Sequence, residues 1–156
     1  MLRTASLETS ADAEIRLGRL DEFVGFHLRL AQEASFAAFA KLAGKLDVGP
    51  GRFAILALIG ENPGLTQTAL GAAAGRDKST LTPALDDLER RGLILRRRAP
   101  TDRRSYALAL TPKGQATLRK LMACAEAHER ELDRLVGSED KAKFVRTLQR
   151  IAAARD

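Results

Sequence analysis

The sequence predicts a mainly α fold carrying one small β-hairpin. Two long proline-free stretches repeat their apolar residues at spacings of three and four, the period of a helix face. One run, SYALALT, alternates with the period of a strand and follows an arginine-rich segment. Composition agrees: alanine, leucine and arginine dominate, aromatics are only 4%, and there is no Trp. At 156 residues the chain fits one domain, or one domain with appended helices. Three segments are expected: helical residues 1–46, a compact middle part over 47–111, and C-terminal helices over 112–156.

The first ten residues are polar and expected to fray. From about Ala11 to Leu46 the pattern is helical, with Leu20, Val24, His27, Ala31, Ala34 and Ala38 on one face. Phe23, Phe26, Phe36 and Phe39 widen that apolar surface, and Gly18, Gly25 and Gly44 weaken an unbroken helix. DVGPG at 47–51 is a breaker cluster, followed by the short apolar helix RFAILALIG, which Gly60 should end. Thr66 is a suitable N-cap for the next helix, and Gly75 should close it. After a turn of about three residues, Asp77 can cap a further helix with an apolar stripe of Leu81, Ala84, Leu85 and Leu88. Pro83 is read as lying near its start, where a missing N–H costs least.

LILRRR and SYALALT then read as two short strands joined by RAPTDR, with Tyr106, Leu108 and Leu110 on one face. Thr111-Pro112 supplies an N-cap and first residue for a long helix. Its residues Leu118, Leu121, Ala125, His128, Leu132 and Leu135 form a seam for packing against another helix. Gly137 stops it, and Ser138, Glu139 and Asp140 lead into a last helix bearing Phe144, Leu148 and Ile151.

The order helix, helix, turn, helix, hairpin is that of a winged helix-turn-helix, whose second helix of the pair enters a DNA major groove by its N-terminal end. A net charge of +6 suits a polyanionic partner. The residues suit that use as well. Lys78, Ser79, Thr80 and Thr82 place one cation and three hydroxyls near the helix start, where hydroxyls can meet base edges. Thr66 and Gln67 open the preceding helix, whose N–H groups can hold phosphate. RRRAPTDRR, residues 96–104, holds five arginines and one acid around a tight turn. Such a hairpin tip can lie over the DNA backbone and send an arginine into the minor groove. Arg76, Arg97, Arg98 and Arg103 are further phosphate-contact candidates by charge and position. Asp86, Asp87 and Glu89, farther along the helix, should face away from DNA or penalise wrong pairing.

The segment from Leu65 to Gly114 resembles the MarR family of bacterial transcription regulators. The most specific part is the wing, D-x-R followed by a strand ending in LT-x-x-G: Asp102, Arg104, Leu110, Thr111 and Gly114. The resemblance implies a homodimer with interlocked N- and C-terminal helices, binding to a palindromic double-stranded DNA operator, and release by a small effector. It also implies that Arg104 is the minor-groove arginine and that Asp102 holds the wing arginine in place. Ser79, Thr80 and Thr82 match the base-facing start of the recognition helix.

The sequence also bears on what is sensed. The branch of the family that answers organic peroxides uses a cysteine near the start of the first helix; TLTPALDDLE is similar to that branch, but this chain has no cysteine there. Cys124, the single cysteine, reads as a small packing residue, with an oxidation switch as the alternative. No disulfide can form within the chain, which favours a reducing cytoplasm. Zinc would have only His27, His128 and Cys124 to draw on, too few for a site, so no metal and no cofactor are expected.

A small organic effector remains. Phe26, His27, Arg29, Ser35, Phe36 and Phe39 of the first helix, with Arg52, Phe53 and Leu56 of the next, offer an apolar wall with a few polar anchors. That suits an aromatic acid or its CoA thioester. FHLRLAQEASFAAFA and PGRFAILALIGENPGLTQTALG are similar to the branch that answers to hydroxycinnamoyl-CoA thioesters. Arg29 or Arg52 would then meet the nucleotide phosphates.

The expected function is a ligand-responsive DNA-binding repressor. The alternatives are an architectural DNA-binding protein without an effector, and a redox-responsive regulator using Cys124. An enzyme is disfavoured, because the chain has no Ser-His-Asp set, Gly-rich phosphate loop or metal cluster. No apolar run approaches the roughly 18 residues that span a bilayer, and the N-terminus lacks the apolar stretch of a signal peptide.

Overall fold

The computed structural model describes residues 15–100 and 104–154. Eight regular elements follow in order: α1 Val24–Ala43, α2 Pro50–Glu61, α3 Gln67–Ala74, α4 Lys78–Arg90, β1 Ile94–Arg98, β2 Tyr106–Leu110, α5 Pro112–Val136 and α6 Lys141–Ala153. By contacts the chain divides at Ala34/Ser35 into two units.

The N-terminal helix is shorter than its periodicity suggests. A 3-10 turn over Gly18–Glu22 precedes α1, and a second over Gly44–Leu46 follows it. The expected start at Ala11 lies outside the described residues. In this first unit Ile15, Leu17, Leu20, Phe23, Val24 and Leu30 are exposed.

The second unit holds the core. The helix after the breaker cluster starts two residues earlier than expected: Gly49 is the N-cap of α2 and Pro50 its first residue, where a missing amide hydrogen costs nothing. Gly60 does not stop α2, which runs on to Glu61. The turn after it is held by Leu65 N–H donating to Asn62 O at 3.0 Å. Thr66 caps α3, its Oγ1 accepting from Ala69 N–H at 3.2 Å. Gly75 ends α3 with φ +61°, the left-handed backbone that glycine adopts without steric cost.

In α4 the stripe Leu81, Ala84, Leu85 and Leu88 is buried, as the spacing predicts. Pro83 lies inside the helix rather than in its first turn, so α4 gives up one internal hydrogen bond there. The core joins this stripe to Ile55, Leu56 and Ile59 of α2, Leu70 of α3, Leu93, Ile94 and Leu108 of the hairpin, and Leu121 of α5. Fully burying each leucine or isoleucine contributes about 1.5–3 kcal/mol relative to exposure.

The strands pair antiparallel, Ile94 opposite Leu110 and Arg98 opposite Tyr106. Leu108 N–H also donates to Leu65 O at 2.9 Å, which ties the hairpin to the start of the helix-turn-helix. Thr111 caps α5 through Gly114 N–H at 2.9 Å and donates its hydroxyl to Gly92 O at 2.6 Å.

The α5 seam is used unevenly. Leu121 is buried and Leu118 and Ala125 pack on the core, but Leu135 is 66% exposed. On α6, Phe144, Val145 and Ile151 are also exposed. Lys141 Nζ, 2.6 Å from Asp133 and 3.1 Å from Glu129, fixes the start of α6 to the end of α5. Those two carboxylates hold the Lys141 ammonium above its ordinary value, Asp133 more than Glu129. No described helix is long and apolar enough to cross a membrane.

Candidate nucleic-acid interface

The start of α4 is built by its cap. Asp77 Oδ1 accepts from Thr80 N–H and from Ser79 Oγ–H, both at 2.8 Å. These bonds stabilise the carboxylate, the Ser79 bond most, and hold its pKa below the ordinary value. Lys78, Ser79 and Thr80 are exposed around this cap. Ser79 spends its proton on Asp77, so toward a base it has acceptor capacity left. Thr82 is half-buried and accepts from Gln67 Nε2 at 3.2 Å, a link between α3 and α4. Gly71 permits the close packing of the pair: a Cβ there would stand 3.1 Å from Arg76 O and 3.5 Å from the Leu81 side chain.

Arg76 is half-buried, and its guanidinium lies where a side chain at Gly51 would be. It also borders a concave surface of about 660 Å³, together with Gln67, Lys78, Arg104 and Tyr106. Residues from α3, the turn, α4 and the wing thus meet on one face. Asp102 and Arg103 lie outside the described residues.

The wing arginines divide by the pleat. Arg97 lies on the hairpin face with Leu95, whereas Arg96 and Arg98 lie on the other, with Tyr106 and Leu108. Arg98 carries its guanidinium 5.8 Å from the Tyr106 ring centroid, a cation–π contact. Arg96 is only 19% exposed and is bound by Asp86 and Glu89 of α4. One of the five arginines in RRRAPTDRR is therefore a structural tie between wing and recognition helix. The acids of α4 are those ties. Asp86 and Glu89 hold the wing, and Asp87 holds Arg52 of α2 at 3.0 Å. Spacing alone could not show this, because the partners lie on different elements.

The residues expected to bind an effector fall into separate groups. In the first unit, His27 Nε2–H donates to Asp21 O at 2.7 Å, Arg29 pairs with Glu33 at 2.7 Å, and Phe26 meets the edge of His27 at 5.5 Å. In the second, Phe39 is buried and its ring lies 5.3 Å from Phe53. Phe36 is 44% exposed, whereas Leu56 is completely buried in the core. Ser35 Oγ lies 2.9 Å from His128 Nε2, a hydrogen bond between residues 93 apart in sequence. His128 also stands edge-on to Phe39 at 6.3 Å. The sequence marks His128 only as a member of the α5 seam and as one of three possible zinc ligands, neither of which points to Ser35. The Cys124 thiol donates to Leu42 O at 3.4 Å. Among the described residues no three His, Cys, Asp or Glu side chains group as metal ligands would.

Known proteins match this architecture. The MarR family model matches residues 48–106. A Thauera aromatica protein named for transcriptional regulation of the hcr operon is 34% identical over 140 residues, 89% of this chain and 84% of that one. The transcriptional repressor CouR bound to a 23-mer DNA duplex superposes with a TM-score of 0.82 at 36% identity, covering 90% of this chain and 99% of that one. CouR bound to p-coumaroyl-CoA gives a TM-score of 0.81 at 34% identity, covering 91% of this chain and all of that one. These relatives are named as regulators of transcription, not as enzymes.

Proposed function

The chain belongs to the MarR family of transcriptional regulators, and on that premise we propose that it is a repressor released from a palindromic operator by a small aromatic acid or its CoA thioester. The observation that carries the DNA part is the shared concave face of Gln67, Arg76, Lys78 and Arg104. Ser79, Thr80 and Thr82 of α4, Thr66 at the cap of α3, and Arg97 and Arg98 of β1 are the further proposed contacts. In this reading the start of α4 meets bases, Arg104 enters the minor groove, Asp102 holds the wing arginine and Arg103 contacts phosphate.

Two copies are needed. Recognition helices about 34–36 Å apart can occupy successive major grooves. The exposed apolar side chains of the N-terminal segment, of the end of α5 and of α6 are the surfaces a second copy would cover. The effector reading is supported by the aromatic pair Phe39–Phe53 with Ser35 and His128 as polar neighbours, and by similarity to a repressor bound to p-coumaroyl-CoA. Phe36 and Arg52 are the further proposed contacts in the second unit, where Leu56 supports the wall from the core. Effector binding would change the separation of the two DNA-binding lobes. The cytoplasm is the proposed location.

The test is a fluorescence-anisotropy titration of the chain's own upstream DNA with excess unrelated DNA, repeated with aromatic acids and their CoA thioesters. Competitor-resistant binding lost with one compound is the expected result. Binding abolished by unrelated DNA would favour the architectural alternative.

A further inference from the structure

Gly51 stands in the first turn of α2, directly after Pro50. Alanine is the better helix former, because glycine gives up more backbone freedom on folding. The backbone does not call for glycine either, since Gly51 is not one of the glycines with positive φ. Its reason lies across the fold. A Cβ at this position would overlap Nη2 of Arg76 and stand 3.2 Å from its Cζ and 3.9 Å from its Nη1. The Arg76 guanidinium thus rests on the bare backbone of α2, where a methyl group would take its place. Arg76 is fixed at its other end as well. It lies in the turn between α3 and α4, its N–H donating to Gly71 O at 2.9 Å. Arg52, Arg91 and Arg96 each pair with an acid of α4, whereas no carboxylate among the described residues pairs with Arg76. The half-buried side chain presents its charge to the concave face that also holds Gln67, Lys78 and Arg104.

We propose that Gly51 is a positioning residue for DNA binding: by leaving this seat open it holds the Arg76 guanidinium ready for a phosphate of the duplex backbone. The proposal rests on the DNA-binding reading of the concave face. An arginine has several rotatable bonds, and ordering them on association costs free energy. A seated guanidinium is ordered before DNA arrives, so the same contact is made at a smaller entropic cost. The seat also suits arginine over lysine. A planar guanidinium can lie on flat backbone and still give two N–H bonds to one phosphate, and a compact ammonium can do neither. Gly51 acts without touching DNA. The group that a methyl at residue 51 displaces is the end of a flexible side chain, so the fold survives the change and the seat does not.

The experiment titrates the full chain into two labelled duplexes at low salt, the chain's own upstream DNA and an unrelated sequence. Gly51→Ala, Arg76→Ala and the double variant complete a cycle, and urea unfolding is run on each. Gly51→Ala is expected to keep or raise the unfolding midpoint. It is expected to bind both duplexes about three- to tenfold more weakly, the loss that ordering one long side chain on binding would cause. In the Arg76→Ala background the same change at Gly51 is expected to have no effect. Arg76→Lys keeps the charge without the plane, and is expected to lose as much as Gly51→Ala. Undiminished binding by Gly51→Ala, or by Arg76→Lys, would overturn the proposal. An equal loss with and without Arg76 would also overturn it, because the glycine would then act through another group. So would unfolding of Gly51→Ala, because displacing the end of a side chain does not unfold a protein. A cycle that holds on both duplexes, with no preference for the upstream DNA, would leave the seat standing and count against the repressor reading. Competitor-resistant binding of the upstream duplex that ignores Gly51 would do the reverse.

Discussion

Gly114 approaches Leu93 so closely that an added Cβ would stand 1.9 Å from the Leu93 carbonyl oxygen. Thr111 N–H donates to that same carbonyl at 3.1 Å. The LT-x-x-G sequence is thus a joint: threonine caps α5, and the bare glycine lets the helix press on the strand leading into the wing.

Gly114→Ala is therefore expected to destabilise the fold by about 2–3 kcal/mol, because backbone must move to admit the methyl group. Urea unfolding measures it. An unchanged midpoint would mean the joint is not rigid.

Leu56→Ala separates a packing role from an effector role. Leu56 is fully buried, so the expected cost is about 2–5 kcal/mol of stability. If thermal unfolding stayed at the wild-type midpoint while effector release changed, Leu56 would be a binding residue and not a core residue.

Arg96 and Arg97 are neighbours with opposite fates. Arg96→Met should lower stability by about 1 kcal/mol, a modest value because its acid partners Asp86 and Glu89 are 54% and 42% exposed. Arg97→Ala should leave unfolding unchanged and reduce the salt dependence of operator binding by about one unit of slope. Identical behaviour of the two variants would contradict the division of the wing by its pleat.

Asp77 predicts a pH effect at the start of α4. Its folded pKa lies below the ordinary 3.8, through the Ser79 hydroxyl first and the Thr80 amide next. The sign follows: its stabilising contribution is present above that ordinary value and is lost as pH falls through the lowered folded value. Carbon-detected titration of the Asp77 carboxyl should show a midpoint below 3.8, and Ser79→Ala should raise it. A midpoint at or above the ordinary value would show that the cap is not formed in solution.

Local rules account for what was legible in the sequence. Thr66, Asp77 and Thr111 cap their helices because a short oxygen-bearing side chain can satisfy an amide two or three residues on. The 81/84/85/88 stripe and the alternation of β2 needed only a period. Where the reading missed, a neighbour distant in sequence had intervened. Gly60 looks like a stop from its own chemistry, but α2 continues through it and packs that glycine against Leu118 and Leu110.

By itself the sequence determined the order of the elements, the caps of α3, α4 and α5, the family and the basic character of the α3–α4–wing face, because each depends on residues within a turn or a strand of one another. Only the tertiary structure decided which charges are spent inside the protein. Arg96 closes on Asp86 and Glu89, Arg52 on Asp87, and Ser35 on His128. An ion pair or hydrogen bond forms where folding brings two side chains within a few ångströms, and no spacing along one element records that distance.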